Sequence, residues 1–198
     1  MRPLADFLPS ILQHASACPD VTAEREVLNA AITFCQRTRC WRVARDHVLP
    51  EGWDGAISLV LPQGARLHEI EGASFNGVDL DRSDYTDQVI SDPVSGQEDL
   101  TFTYLREPFA EAGLLKLSLF LKPSITADEL PDVLLEDYRE IIAAGALGAI
   151  LLIKDKTWSD PQRAAFFKAA FEAGCSRNFA ENIRGRMRKP VRSRARFV

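Results

Sequence analysis

Three histidines, four cysteines, scattered acid pairs and a run of arginines at the C-terminal end are the residues of this 198-residue chain whose types could do chemistry. His14, His47 and His68 fall in three separate contexts. None has the i,i+3 or i,i+4 spacing that aims two imidazoles at one metal, so they read as surface or packing residues. Cys18, Cys35, Cys40 and Cys175 show neither the close pairing of a zinc site nor the density of a disulfide framework. They are expected as reduced thiols, with Cys35 and Cys175 acting as small apolar residues inside helical patterns. Asp79 with Asp81 and Glu98 with Asp99 lie in turn-rich stretches, where acids are ordinarily solvated. No Gly-rich phosphate loop ending in Lys-Ser or Lys-Thr appears, and no nucleophile-elbow sequence surrounds a serine. The expectation is a chain with no catalytic residues, no bound metal and no cofactor.

The arginine run is the unusual feature. Arg184, Arg186, Arg188, Lys189, Arg192, Arg194 and Arg196 are seven basic residues with no acid among them, out of 24 basic and 28 acidic residues in the chain. The body before them therefore holds 17 basic residues against 28 acidic ones, a formal charge of -11. Such an array of guanidinium forks suits phosphates, or carboxylates on a partner. Phe197 is the one aromatic residue in this run, so base stacking is not expected, and any contact with nucleic acid should be backbone-directed and salt-sensitive. Two readings follow: a tail that docks on a partner protein, or a DNA-binding regulatory module that uses the same tail.

With 46% hydrophobic and 26% charged residues the chain can bury a core, which excludes a disordered or fibrous class. No stretch reaches the roughly 18 apolar residues of a spanning helix, and Asp6 and Pro9 interrupt the N-terminal region before a signal sequence could develop. A soluble product of the cytoplasm is expected, with no membrane partner.

Four stretches are expected to position these residues. Over 1–45, Leu4, Phe7, Leu8, Ile11 and Leu12 predict a short or broken helix. Thr22 can cap a second helix over about 23–44, whose stripe is Val27, Leu28, Ala31, Ile32, Phe34, Cys35 and Trp41. Over 46–123 the texture changes to strands at Ile57–Leu61, Arg66–Phe75, Val78–Leu80, Asp99–Leu105 and Leu114–Leu121. Asn76-Gly77 makes a tight hairpin turn there, and Asp81–Glu98 an exposed excursion. Over 124–183 helices return, one rich in Ala and Gly from Ala143 to Ala149, which suits either tight packing within the core or a subunit contact. The last helix is capped by Ser159 or Asp160, with Pro161 in its first turn. Residues 184–198 are the basic tail. The fold expected is α+β, a helical bundle made by the N- and C-terminal helices with a small antiparallel β-sheet inserted between them, in a single domain.

Three segments in this order carry a resemblance: Thr22–Trp41 (TAEREVLNAAITFCQRTRCW), the ending Leu117-Ser-Leu-Phe-Leu-Lys-Pro123, and Leu130–Phe171. Within the last lie Leu130-Pro131, the Ala/Gly helix, and Lys156-Thr-Trp-Ser-Asp-Pro161 followed by Phe171-Glu172. Together they resemble the head-to-tail connector adaptors of tailed phages, the group typified by tail tubular protein A. The resemblance implies a structural virion protein with no enzymatic activity. It implies a ring of about twelve copies at the head-tail junction, closed by a head-to-tail interface. The partners implied are the portal protein above, the next tail component below (a nozzle, stopper or terminator) and the genomic DNA that passes through, with assembly in the host cytoplasm. An acidic body suits a passage along which phosphates slide without sticking. The basic tail would grip the portal.

Overall fold

A computed structural model describes residues 1–91, 98–105 and 112–186. In chain order, β1 (Arg2–Pro3) leads through a 3-10 turn into α1 (Leu8–Leu12) and α2 (Asp20–Thr38). Seven strands follow: β2 (Arg42–Leu49), β3 (Ala56–Val60), β4 (Ala65–Phe75), β5 (Val78–Leu80), β6 (Tyr85–Ser91), β7 (Glu98–Tyr104) and β8 (Gly113–Pro123). A short β9 (Glu129–Leu130) precedes α3 (Asp132–Glu136), α4 (Arg139–Ile150) and α5 (Pro161–Arg186).

Arg39 decides where helix gives way to sheet. It adopts the left-handed conformation (φ 56°, ψ 35°), and its N–H caps α2 by donating to the Cys35 carbonyl at 2.9 Å. The chain reverses there, Trp41 turns into the core, and the Trp41 carbonyl accepts from Leu121 N at 2.8 Å, which starts the pairing of β2 with β8. That pairing is antiparallel and unbroken from Arg42 opposite Phe120 to Leu49 opposite Gly113.

The largest sheet has the order β2-β8-β4-β5. Leu115, Leu117, Leu119 and Leu121 recur at the two-residue period of β8 and are all buried, so one face of that strand is core along its length. Asn76 and Gly77 both have positive φ, as a tight hairpin requires, and the Asn76 side chain accepts from Leu114 N at 2.9 Å, locking the turn to β8. β4 is irregular at His68 and Glu71, where its register against β8 shifts. Such bulges re-aim side chains. Here Glu71 accepts from both Arg42 Nε and Ser118 Oγ, tying three strands on the outer side of the sheet.

The second sheet, β3-β7-β6, buries Leu59, Leu100 and Phe102, with Tyr85 stacked on Phe102 at 4.8 Å between centroids. A third, two-stranded sheet pairs Arg2 with Leu130 and Pro3 with Glu129, which pins the N-terminal residues beside the start of the C-terminal helices. There α4 packs on α5 and α2. Phe34 is fully buried where the three meet, its ring 4.9 Å from Tyr138 and 6.4 Å from Phe171.

The expected helical bundle with a small inserted sheet is not what the chain builds. The described residues form a mixed α and β fold with five α-helices and nine strands in three antiparallel sheets, so the sheets are no minor insert. Three misreadings account for the difference. The second helix ends at Thr38, and the residues expected to finish it open β2. The excursion expected over Asp81–Glu98 contains β6, paired along its length with β7 and preceded by a turn in which Asp81 and Asp84 cap each other. Strand also occurs outside 46–123, in β1 and β9. The five strands that were expected are present to within a residue or two, as are the hairpin and the broken first helix.

Candidate docking surface

α5 begins where the sequence places it. Asp160 Oδ1 accepts from the N–H groups of Gln162 and Arg163 at 3.1 and 3.0 Å, capping the helix just before Pro161. The inner face of α5 seats on α4 through glycines. A Cβ on Gly145 would lie 2.8 Å from the Phe171 ring and 3.0 Å from Ala30, and one on Gly148 would lie 3.3 Å from the Lys168 backbone nitrogen. The Ala/Gly stretch of α4 is thus spent on packing within the chain, and Arg37 on α2 braces α5 through Glu172 at 2.6 Å.

The outer face of α5 is different. Phe166, Ala169, Ala170 and Ala173, at i, i+3, i+4 and i+7, are all exposed, Phe166 to 69%. Farther along the same helix stand the first two residues of the expected basic tail: Arg184 and Arg186 occupy its last turn and are not part of a separate tail. Arg188, Lys189, Arg192, Arg194 and Arg196 lie outside the described residues, so the structure assembles no site from the seven. A cleft of about 590 Å³ at the start of α4 is lined by Asp6, Glu136, Asp137 and Glu140 against Arg2 and Arg139, a surplus of acid on the body.

The histidines stay apart. His14 receives Arg163 Nη2 on Nδ1 at 2.9 Å and packs on Phe167, while His47 lies on the edge strand β2. Burial, with help from Lys122, lowers the pKa of His68 at the β4 bulge below its ordinary value. A depressed histidine favours the fold only while neutral. Its contribution is complete above the ordinary pKa and is lost as pH falls through the lower, folded value. The drop in unfolding free energy between about pH 7.5 and about pH 5 should therefore be smaller in His68→Gln than in the parent chain, measured by urea denaturation at each pH.

No group of three or more His, Cys, Asp or Glu side chains among the described residues is placed to hold a metal ion. None of the described helices is long and apolar enough to cross a membrane. Sequence reasoning missed one pair: Cys35 and Cys40 approach to 3.8 Å between sulfurs. Their Cys-x4-Cys spacing becomes informative only once a helix end is known to fall between them. No protein-family model matches the chain, and no curated protein matches it.

Proposed function

We propose that this chain is a structural virion protein, a head-to-tail adaptor that docks as a ring under the portal of a tailed phage and links the capsid vertex to the tail. The observation that carries the reading is α5, one 26-residue helix with an exposed apolar stripe along its outer face and the first arginines of the basic cluster in its last turn. In a ring, the stripe around Phe166 is the surface a neighbouring copy covers, in a head-to-tail contact that closes by rotation. The arginines at the end of the same helix grip carboxylates or carbonyls of the portal, and the acidic body faces the DNA passage. The three sequence segments that resemble connector adaptors include the first half of this helix.

The test mixes the purified chain with the portal ring of the same genome and determines the mass and symmetry of the product. One chain per portal subunit is expected. Truncation before Arg184 should abolish the complex. So should replacement of all seven basic residues by Gln, which leaves α5 its full length. A full-length chain that ignores the portal overturns the reading. If that chain instead binds duplex DNA with an affinity that falls steeply with salt, the DNA-binding module replaces it.

A further inference from the structure

The left-handed cap at Arg39 does more than stop α2. A helix that ends this way folds the residue after the cap back over the last turn, and contacts between that residue and the one five positions earlier commonly accompany the motif. In this chain those two positions are both cysteines. Cys35 is fully buried on the last turn of α2, Cys40 is partly exposed at the approach to β2, and their sulfurs lie 3.8 Å apart. The junction around them is braced. Arg39 reaches Glu69 of β4 at 2.6 Å and lies over the Phe120 ring of β8, and Thr38 Oγ1 donates to the Phe34 carbonyl at 2.8 Å. A disulfide needs a further approach, from 3.8 Å to roughly 2.05 Å.

We propose that Cys35 and Cys40 are a reversible dithiol–disulfide site, oxidised by a small-molecule disulfide such as oxidised glutathione, which staples the end of α2 to the entry of the sheet. The two sulfurs have unequal parts. Contact with Cys35 lowers the pKa of Cys40 against the opposing effect of burial, helped by Thr38 and the Cys40 and Trp41 amides, whereas the same contact and full burial raise the pKa of Cys35. Cys40, lower in pKa and reachable from solvent, is the attacking thiolate. It displaces one glutathione thiolate and forms a mixed disulfide. The Cys35 sulfur then attacks the Cys40 sulfur, and the second glutathione leaves and takes up the proton that Cys35 gives up. Two protein thiols are oxidised and one glutathione disulfide is reduced to two thiols. Cys18 and Cys175 take no part: both are buried, and burial raises their pKa values, that of Cys175 to about 11.

The experiment treats the folded full-length chain with oxidised glutathione, quenches exchange with acid, alkylates the remaining free thiols in denaturant and maps tryptic peptides. Cleavage after Arg25, Arg37, Arg39 and Arg42 separates the two cysteines, so the disulfide joins Glu26–Arg37 to Cys40–Arg42, short by two hydrogens and released by dithiothreitol. Cys18 and Cys175 should be alkylated. Cys35→Ser should hold a stable glutathione adduct on Cys40, and Cys40→Ser should leave Cys35 free. Alkylation of both Cys35 and Cys40 after treatment overturns the proposal, as does a Cys40–Cys175 link or a Cys35–Cys40 bond that forms only in denaturant.

Discussion

Phe34→Ala is expected to lower the unfolding free energy by about 3–5 kcal/mol, read as a fall in the urea midpoint at unchanged slope. The size follows from position. Phe34 is fully buried on α2, with Tyr138 at the start of α4 and Phe171 on α5 against it, so its removal opens a cavity shared by three elements that reach the site from distant parts of the sequence. Each wall is held from behind. α4 is seated on α5 through Gly148, and α5 is braced to α2 by Arg37 and Glu172, so collapse into the space is restricted and the cost should sit in the upper part of the range. A loss under about 1 kcal/mol would mean that the three helices do not meet as described.

Gly145→Val should cost about 2–3 kcal/mol for the opposite reason, overpacking. Glycine inside a helix ordinarily loses about 1 kcal/mol to alanine, so an added side chain begins with an advantage. Contact reverses the sign. A Cβ at this position meets two atoms of the Phe171 ring at 2.8 Å and the Ala30 Cβ at 3.0 Å, and neither neighbour has room behind it, since Phe171 packs toward Phe34 and Ala30 lies in the same core. Valine then adds two methyl groups to a contact that is already too close. Gly72→Ala is the control. No atom lies within 4 Å of its added Cβ, so the same denaturation assay should show a change within about 0.5 kcal/mol.

The strands the sequence announced are those with a local signal: the two-residue alternation of Leu100, Phe102 and Tyr104, that of Leu115 to Leu121, and the Asn-Gly turn that forces two positive φ angles. The start of α5 was legible for the same reason, because Asp160-Pro161 is a cap followed by a residue that fits a first turn. β2 was hidden. Its predecessor stops at an arginine in the left-handed region, a conformation with no sequence rule of its own, and Trp41 continues the apolar count past the true end of the helix. β6 was hidden as well, since its exposed Thr86 and Gln88 and its flanking acids look like loop until β7 is there to pair with it. Charge made the basic cluster visible, but composition cannot say that two of its members belong to a helix. The Cys35–Cys40 pair needed the cap between them, which only the folded chain supplies.

The pairing of Arg42 with Phe120 decides where the chain can tolerate added length. The polypeptide leaves the helical layer along β2 and comes back along β8, so the way out and the way back are neighbouring strands about 5 Å apart. Everything from Val43 to Leu119 passes out and back through that one doorway, and β4 adds a second tie to the frame through Glu69 and Arg39. Loops at the far ends of these strands, away from Glu69, can lengthen without shifting the helices at the threshold. Added length is tolerated best in the part of the chain that holds most of its strands, because its entry and exit are fixed side by side.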